Sequence, residues 1–377
     1  MKLLVSKDEM QEKLANIQNI IEKKNTMPIL SHFLLNAGKK GSYIIATDIE
    51  TAIKEPLDGA VEQEGRLCIP ARKLFEIVRE TDGDLSFESI DETSSGGWLK
   101  VTSGASRFKL ACLPPDDFPA WPVLGNIEEL MVDASSLLEM IEKTIYAAGE
   151  SDTRYTLNGL LFHTKSGDKA LTVVGTDGHR LAFITQELEA EAKEEKRIII
   201  PRKGVSELRR FLPADKDDGG ERKPVRISVG EKHLLFSIGN IEFLTRLIEG
   251  SYPNYENVIP QANEKHMSIQ KEVFVRVLRR VSVMSRERAS AVRFDLDNGL
   301  LTVFSSSPDI GEAKEEVAID YKGEQVSLGF NARYMLDILG AMTSEKVVLE
   351  LQDPLSPVLV REEGNDNYKS VIMPMRI

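Results

Sequence analysis

Residues 130–148, LMVDASSLLEMIEKTIYAA, hold the pattern that decides the fold. A short apolar stretch leads into Asp133, a residue type that caps helices, and then into apolar residues spaced three and four apart. The same order occurs in residues 3–21, LLVSKDEMQEKLANIQNII, and in residues 266–284, HMSIQKEVFVRVLRRVSVM. Each stretch therefore predicts a strand, a Ser or Asp cap signal and an amphipathic helix, and this unit occurs three times in the chain.

Two further patterns repeat with the first. A strand, a glycine-containing turn and a strand are predicted from Leu30, Leu157 and Ser290, and a second helix follows Ile69, Ile200 and Gly329. Within these segments equivalent residues are separated by about 130 positions. One such set is Arg72, Arg202 and Arg333, and another is Thr47, Thr176 and Ser306. We therefore expect three repeated domains at residues 1–127, 128–258 and 259–377. Each is predicted to be α+β, with antiparallel sheets and two helices on one face.

Composition excludes several classes of protein. The 377 residues are too many for one ordinary core, and no apolar run reaches the ~18 residues of a membrane span. The N-terminus has no signal-peptide core, and two cysteines, Cys68 and Cys112, cannot form a disulfide framework, which favours the cytoplasm. Extended linkers are predicted at residues 118–127 and 252–261, and solvated acidic loops at residues 187–196 and 214–223.

The net charge of -12 argues at first against a nucleic-acid partner. Its distribution changes that interpretation. The six predicted helices, at residues 7–24, 70–81, 133–149, 201–212, 269–288 and 330–342, together carry +6, so the remainder of the chain carries -18. Basic residues recur on the second helix of the first two repeats: Arg72, Lys73, Arg202, Lys203, Arg209, Arg210. Their recurrence favours an anionic partner contacted through phosphates, without sequence preference.

Residues 176–182, TDGHRLA, are the strongest candidate for chemistry. Asp177 and His179 could act as an orienting carboxylate and a general base, which would suit a hydrolase. However, Asp-Gly between two apolar runs is also typical of a tight turn, and no further motif supplies a nucleophile. The equivalent segment of the first repeat, TDIETAI, lacks both Gly and His. A packed or partner-binding turn is therefore favoured over catalysis.

The remaining motifs predict no cofactor and no metal site. Residues 37–42, AGKKGS, lack phosphate-loop spacing, and residues 295–299, DLDNG, lack the alternating ligands of a calcium loop. The five histidines show no pairing at helical spacing. The last residues, SVIMPMRI (370–377), could form a final strand, but their flexible thioethers also suit a surface that accepts apolar peptides.

The chain resembles the bacterial DNA polymerase III beta subunit, the sliding-clamp family, over its whole length. The resemblance rests on the three repeats, on TDGHRLA, on YPNYENVIP (252–260) and on the terminal MPMR (373–376). It implies a non-catalytic processivity factor that closes as a head-to-tail homodimeric ring around duplex DNA, with helices lining the hole. It also implies an ATP-driven clamp loader, and polymerases and repair proteins as partners. Two alternatives remain: a hydrolase using Asp177 and His179, and a repeat scaffold that binds only proteins.

The resemblance also implies site residues. DNA-facing positions match Lys24, Arg72, Lys73, Arg202 and Lys203, with a DNA-contacting loop at Arg154 and Tyr155; helix charge alone adds Arg209, Arg210 and Arg279. A pocket for short peptide motifs of the QL-x-L-F type, here called the peptide pocket, matches Leu157, Thr176, Gly178, His179, Arg180, Leu181, Pro253, Val258, Ser356, Val371, Met373, Pro374, Met375 and Arg376. Asn257 stands where the family pattern favours a basic residue, which puts peptide selectivity in doubt. The dimer interface matches Phe108, Val283 and Met284, flanked by Arg107, Lys109, Glu312 and Glu315.

Overall fold

The computed structural model describes residues 1–21, 27–93, 96–125, 128–213, 224–261, 263–285 and 290–376, with the backbone alone at residues 92 and 93. Two compact units are present. The first comprises Met1–Ser135 and Ser206–Leu247, and the second comprises Ser136–Val205 and Ile248–Ile377. None of the helices in these described ranges is long and apolar enough to cross a membrane.

All six predicted helices are confirmed, although each is shorter than its sequence pattern suggested. They are α1 (Lys7–Ile17), α2 (Ala71–Glu80), α3 (Ala134–Glu142), α4 (Arg202–Phe211), α5 (Lys271–Ser282) and α6 (Ala332–Ala341). These helices carry a net charge of +4, which leaves -16 for the remainder of the chain. The predicted separation of charge is therefore preserved in the folded chain.

Local signals account for the helix positions. Ser6 caps α1, because its side chain accepts a hydrogen bond from the backbone N of Glu9 at 3.2 Å. The predicted cap of the third repeat is wrong: Ser268 lies inside a strand, and α5 begins after Gln270, whose side chain makes no capping bond. The apolar stripe of α5 is fully buried, so packing stabilises this helix instead.

The first unit contains two antiparallel sheets. One has five strands in the order β5 (Ala60–Gln63), β1 (Lys2–Val5), β7 (Leu85–Thr93), β8 (Gly96–Ser103) and β9 (Ser106–Cys112). The other has eight in the order β10 (Glu128–Asp133), β15 (Pro224–Val229), β16 (His233–Ile238), β17 (Ile241–Arg246), β4 (Thr51–Leu57), β3 (Ser42–Thr47), β2 (His32–Ala37) and β6 (Gly65–Pro70).

The second unit is built in the same way. Its larger sheet has nine strands in the order β14 (Lys196–Pro201), β11 (Gly159–Thr164), β12 (Ala170–Thr176), β13 (Arg180–Glu187), β26 (Tyr368–Ile372), β25 (Val358–Glu362), β24 (Lys346–Leu351), β18 (Lys265–Gln270) and β22 (Asp320–Tyr321). Its smaller sheet has four in the order β21 (Gly311–Ala318), β20 (Leu300–Ser307), β19 (Ala291–Asp297) and β23 (Val326–Asn331).

The two larger sheets join strands of successive repeats. In the first unit β4 pairs with β17, with Thr51 opposite Thr245. In the second unit β13 pairs with β26, with Leu181 opposite Val371. The central repeat therefore contributes strands to both units, and continuous hydrogen-bonded ladders cross from one repeat to the next. The sequence patterns did not indicate these ladders.

The segments predicted as extended linkers are anchored by buried aromatic side chains. Phe118 is buried in an apolar cluster of the first unit, and Tyr252 and Tyr255 are buried in one of the second. Residues Tyr255–Val258 form a short 3-10 helix. The extended-linker prediction is therefore wrong for residues 252–261, because burial of two tyrosines fixes the backbone.

One of the two predicted acidic loops is partly buried. In residues 187–196 the side chains of Leu188 and Ala192 are buried, so that loop is only partly solvated. The other predicted acidic loop, residues 214–223, lies outside the described residues.

Cys68 and Cys112 are buried free thiols. Burial raises the pKa of both to about 12, which keeps them protonated and unreactive.

Candidate functional site

The TDGHRLA segment forms a turn closed by its own side chains. The Thr176 hydroxyl donates to the carbonyl of Arg180 at 2.7 Å and accepts from the backbone N of Gly178 at 3.1 Å. Asp177 Oδ1 accepts from the backbone N of His179 at 2.9 Å and of Arg180 at 3.0 Å. Gly178 has φ +82°, a conformation that favours glycine. Thr176, Asp177 and Gly178 therefore each have a structural role in the turn.

This arrangement does not form a catalytic pair. The second carboxylate oxygen of Asp177 accepts from Nε of Arg180 at 3.1 Å. The imidazole of His179 is exposed and stacks on the ring of Tyr334, with centroids 6.3 Å apart and an interplanar angle of 24°. Among the described residues, no group of three or more His, Cys, Asp or Glu side chains could hold a metal ion. The Asp177 carboxylate is therefore committed to the turn and to Arg180.

Arg180 does not present its guanidinium to the peptide pocket as a free cation. Its Nη1 donates to Asp337 of α6 at 2.5 Å, and its Nη2 donates to the carbonyl of Tyr146 at 2.6 Å. The guanidinium carbon lies 4.3 Å from the ring centroid of Tyr334. Its side chain is only 10% exposed. Arg180 therefore fastens the turn to α6, and it shapes the pocket by holding its walls.

Three apolar residues predicted for the peptide pocket pack together in the second unit, and their cluster is here called the floor. Leu157, Leu181 and Val371 are almost fully buried and pack in one cluster with Tyr252 and Tyr255. Leu181 and Val371 are directly opposite each other in the β13–β26 ladder, so their side chains share one face of the sheet. Leu157, Leu181 and Val371 therefore meet in one buried cluster, and their part in a peptide pocket stays a prediction.

The C-terminal residues are pinned at two points beyond β26. The backbone N of Met373 donates to the carbonyl of His179 at 2.9 Å, and that of Met375 donates to the carbonyl of Gly329 at 2.8 Å. The Met373 side chain is 36% exposed. Pro374 and Met375 are half-buried, and Arg376 is exposed. The tail thus lies against the turn and offers thioether groups to solvent.

Two predicted pocket residues lie at the margin of this cluster, and a third lies in a separate turn. Pro253 and Val258 are exposed, but they flank the buried Tyr252 and Tyr255. Ser356 belongs to a separate turn, where its hydroxyl donates to Asp353 at 2.5 Å. The described contacts of Ser356 are thus local, and its part in the pocket stays a prediction. Asn257 is exposed on the same 3-10 helix as Val258.

A cavity of about 520 Å³ opens beside the turn. It is polar, and its walls include the residues that hold Arg180. Burial raises the pKa of Tyr146 to about 12, so its hydroxyl stays protonated and bonds Ser370 at 2.8 Å. The lining comprises Tyr146, Ala148, Gly149, Glu150, Asp152, Asp177, His179, Arg180, Arg202, Arg333, Tyr334 and Asp337.

Arg154 was predicted to contact DNA, but its guanidinium lies against the TDGHRLA turn. It donates to both oxygens of Asp152, at 3.0 and 2.9 Å, and to the carbonyl of Asp177 at 3.0 Å. The hydrogen bonds from Arg154 lower the pKa of Asp152 to about 2. A Cβ atom at Gly178 would come within 2.8 Å of Arg154 Nη2. Tyr155, by contrast, is 60% exposed and available to a partner.

Arg202 also has structural partners within the chain. Its Nη1 donates to the carbonyls of Ile145 at 3.1 Å and Ala148 at 2.6 Å, and its Nη2 donates to Glu150 at 3.0 Å. These bonds tie the first turn of α4 to the segment that follows α3. Its equivalent in the first repeat, Arg72, is half-buried in α2. Both arginines are therefore less available to a phosphate than helix charge alone suggests.

The other predicted DNA-facing residues are exposed on helices. Lys73 pairs with Glu76, and Arg210 pairs with Glu207 at 2.9 Å. Lys203, Arg209 and Arg279 are exposed on α4 and α5. Lys24 lies outside the described residues. Because exposed pairs contribute little to stability, these cations can exchange partners at small cost.

Most of the predicted dimer-interface residues lie on two strands at sheet edges, and the other two follow α5. β9 is an edge of the five-stranded sheet and carries the exposed Arg107 and Lys109 on either side of the half-buried Phe108. Lys109 pairs with Asp91 at 3.5 Å and lies 4.6 Å from the ring centroid of Trp98. The edge strand therefore presents positive charge around an aromatic ring.

β21 is an edge of the four-stranded sheet and carries the exposed Glu312. Glu315 is already paired within the chain, because Arg280 Nε donates to it at 2.9 Å and lowers its pKa. Val283, which follows α5, is 73% exposed, and the neighbouring Met284 is half-buried. An exposed apolar side chain thus accompanies an acidic edge strand.

Sequence patterns missed the residues that hold the site together. Tyr334 and Asp337 belong to a helix about 155 residues beyond the turn, and nothing in their local sequence marks them as partners of Arg180. Tyr252 and Tyr255 did carry a signal. Two aromatic residues within a proline-containing linker are candidates for burial, because large aromatic rings are highly buried on average in folded proteins.

Comparisons with known proteins agree with this architecture. Three family models match consecutive stretches: the DNA polymerase III beta subunit N-terminal domain at residues 1–122, the central domain at residues 131–254 and the C-terminal domain at residues 256–376. The beta sliding clamp of Caulobacter vibrioides is 34% identical, and that of Escherichia coli is 30% identical. In both comparisons each chain is covered completely.

Solved structures give the same result. The fold matches a crystal structure of the Pseudomonas aeruginosa sliding clamp bound to griselimycin, with a TM-score of 0.91 and 31% identity. It matches a crystal structure of the Caulobacter crescentus clamp with a TM-score of 0.92 and 33% identity. Both matches cover the whole of each chain. The chain therefore belongs to the DNA polymerase III beta subunit family, the beta sliding clamps.

Proposed function

We propose that this sliding clamp, a non-catalytic processivity factor of DNA polymerase III, closes as a head-to-tail homodimer around duplex DNA. In this proposal it tethers polymerases and repair proteins through the peptide pocket and is loaded in the cytoplasm by an ATP-driven clamp loader. The observation that carries the proposal is the convergence of the TDGHRLA turn, the apolar floor and the pinned tail in one unit. The hydrolase alternative is dropped, because the family is non-catalytic.

The geometry of the peptide pocket supports binding of an extended apolar motif. Leu157, Leu181 and Val371 supply a buried floor, while the exposed thioether of Met373 can adjust to different side chains. The carbonyl of His179 is occupied by the tail, so the tail and the turn form one surface. A few polar groups around an apolar cleft are what motif recognition requires.

The edge strands support ring closure. β9 carries a net charge of +2 and β21 carries -2. An edge strand exposes unpaired backbone groups, and pairing it with an edge of a second chain satisfies them. Because β9 and β21 are different surfaces, their contact is heterologous, and such contacts close into a ring when the rotation fits. Phe108, Val283 and Met284 would supply the apolar part of this interface.

Weak DNA contact suits a protein that must slide. The helices are only modestly basic, and two of the predicted cations, Arg154 and Arg202, are committed to contacts within the chain. We propose sequence-independent contacts from Lys24, Arg72, Lys73, Tyr155, Lys203, Arg209, Arg210 and Arg279, with Arg154 and Arg202 contributing where their contacts within the chain permit. Three clamp domains bounded near residues 127 and 258 complete the proposal.

Ring closure is tested by reversing the charge of one edge strand. Arg107→Glu with Lys109→Glu should shift the protein from twice the 42.1 kDa chain mass towards one chain mass, because two acidic edges then repel. The measurement is light scattering at micromolar concentration. Adding Glu312→Lys and Glu315→Lys to the same chain reverses the opposite edge and should restore the dimer.

A wild-type protein with the mass of a single chain would contradict ring closure. So would a dimer that the Arg107 and Lys109 reversals leave unchanged, since the edge strands would then lie outside the interface. Loss of the dimer without rescue in the fourfold variant would show that these glutamates are not the partners.

A further inference from the structure

His163 is a buried histidine that the peptide pocket does not include. It lies on β11, and its side chain is only 2% exposed. In the sheet it is opposite Thr172 on β12 and Arg197 on β14. A cavity of about 300 Å³ adjoins it, lined by His163, Lys165, Asp168, Thr172, Thr185 and Tyr255, among others. Solvent protons can therefore reach this imidazole.

A chain of hydrogen bonds runs through the His163 ring. Its Nε2 is 3.2 Å from an oxygen of Glu195, and its Nδ1 is 2.9 Å from the hydroxyl of Tyr255. Beside this pair, the hydroxyl of Thr172 lies 2.9 Å from that of Thr185. Each ring nitrogen of His163 thus has one partner, and the partner at Nδ1 is a tyrosine of the linker.

The charges around His163 favour its neutral form. Burial lowers the pKa of His163, and the positive charge of Arg197 lowers it further, while Glu195 opposes the change. Lys165 faces it as a second cation but is paired with Glu256 at 2.9 Å, and Asp168 lies on the cavity wall. At neutral pH the ring donates from Nε2 to Glu195 and accepts from the Tyr255 hydroxyl at Nδ1.

Tyr255 connects this histidine to the peptide pocket. Its ring packs in the same cluster as Leu157, Leu181 and Val371, which form the pocket floor. It begins the 3-10 helix that ends at Val258, a predicted pocket wall. The placement of Tyr255 therefore sets both the floor and one side of the pocket.

We propose that His163 is a positioning residue for peptide binding, which it controls by holding the Tyr255 hydroxyl from the neutral imidazole. The inference rests on the proposed function of the pocket. Protonation converts Nδ1 into a donor, so the Tyr255 hydroxyl can no longer donate to it and must turn. A buried positive charge then also faces Arg197.

The sign of the pH effect follows from linkage. The pKa of His163 is lowered in the folded state, so the unfolded chain takes up a proton first as the pH falls below about 6.5. The stability present at neutral pH is lost from there downward. If the bound peptide requires Tyr255 in place, binding favours the neutral imidazole, and affinity falls in the same direction.

The test compares wild type with His163→Asn, whose amide oxygen can occupy the position of Nδ1 but does not titrate. The probe is a fluorescein-labelled peptide containing Gln-Leu-Ser-Leu-Phe, measured by polarisation at pH 7.5 and 5.5. We expect wild-type Kd to rise about fivefold more than that of His163→Asn on acidification. Every other residue is the same in both proteins, so the difference between their pH profiles isolates His163. Tyr255→Phe should bind about fivefold more weakly at pH 7.5.

Hydrogen–deuterium exchange of residues 252–261, measured without peptide, separates this inference from the proposed function. Corrected for intrinsic rates, exchange in wild type should rise at pH 5.5 and stay lower in His163→Asn. Absence of peptide binding at pH 7.5 would overturn the proposed pocket, and the exchange result would still decide whether His163 positions the linker. Matching pH profiles in wild type and His163→Asn, in either measurement, would overturn the role of His163.

Discussion

Two equivalent turns, residues 47–51 in the first unit and residues 176–180 in the second, have the same backbone hydrogen bonds but different side-chain contacts. In the first unit Thr47 donates to the carbonyl of Thr51 at 2.8 Å, and Asp48 Oδ1 accepts from the backbone N of Thr51 at 2.6 Å. In the second unit Thr176 and Asp177 make the corresponding bonds to Arg180, at 2.7 and 3.0 Å. The two turns therefore share one hydrogen-bond plan.

The backbones agree as closely. Ile49 has φ +80°, and Gly178, its equivalent, has φ +82°. Each turn also accepts one backbone hydrogen bond from the following repeat. The carbonyl of Glu50 accepts from the backbone N of Arg246 at 2.8 Å, as that of His179 accepts from Met373 at 2.9 Å. The contact between a turn and the following repeat, here called a joint, therefore occurs twice with different residues.

The two joints differ in their side chains and in the segment after the partner strand. Thr51 returns its hydroxyl to Asp48 at 2.9 Å, whereas Arg180 reaches out to α6. Glu50 pairs with Arg246 at 3.5 Å on an exposed surface, whereas His179 stacks on Tyr334. The two turns therefore share one set of hydrogen bonds, but only the second is followed by a C-terminal tail and lies at the proposed peptide pocket.

The largest expected effect comes from opening the second joint. Deleting Met373–Ile377 removes the bonds to His179 and Gly329, together with the thioethers of the peptide pocket. We expect motif-peptide affinity to fall at least about a hundredfold, a loss of about 3 kcal/mol. Fluorescence polarisation measures the affinity, and light scattering should show an unchanged dimer.

Deleting only Ile377 is the matched control, since both backbone bonds to the tail and every predicted pocket residue remain. This shorter truncation should keep most of the affinity. Peptide binding that survives the longer deletion would place the pocket elsewhere. The two joints would then differ only in local packing, and the second would have no role in binding.

The next effect concerns the residue that distinguishes the turns. Arg180→Met should lower the free energy of unfolding by about 3 kcal/mol, because it leaves Asp177 and Asp337 without their buried cation. Thr51→Val, its counterpart, removes one hydroxyl bond to Asp48 and should cost about 1 kcal/mol. Urea denaturation of both variants measures the difference, and equal losses would mean that Arg180 is no more than a turn residue.

The smallest effect exchanges the residues at positive φ. Gly178→Ala should destabilise the protein by about 1 kcal/mol, since alanine is strained there and its Cβ meets the Arg154 guanidinium. Ile49→Gly should stabilise it by about 0.5 kcal/mol, because relief of strain exceeds the entropy that glycine adds to the unfolded chain. Thermal unfolding measures both shifts, and shifts of the same sign would show that the two backbones differ in strain.

Sequence patterns predicted the repeats because their signals are local. Arg72, Arg202 and Arg333, spaced at near-equal intervals, all lie in the first turn of a second helix, as expected. The Asp-Gly signature at residues 177 and 178 identified a turn whose bonds span only four residues. Such features depend on neighbours in the chain, so a single sequence reveals them.

The contacts that make the site were not predictable in the same way. Arg180 meets Asp337 across 157 residues, and β4 meets β17 across about 190. Side-chain type does not specify a partner at that distance. The sequence therefore predicted Arg180 only as a residue of the peptide pocket, and residues 252–261 only as an extended linker. The resemblance to a family named the pocket residues, but the tyrosines that support them emerged only from packing.

The most direct test of the central claim is topological. The protein is loaded onto nicked circular DNA by an ATP-driven clamp loader, and the fraction retained is measured by gel filtration before and after the circle is cut once. A ring that holds DNA by encircling it should remain on the circle and slide off the linear product. Equal retention on both forms would contradict the ring and favour binding by surface charge.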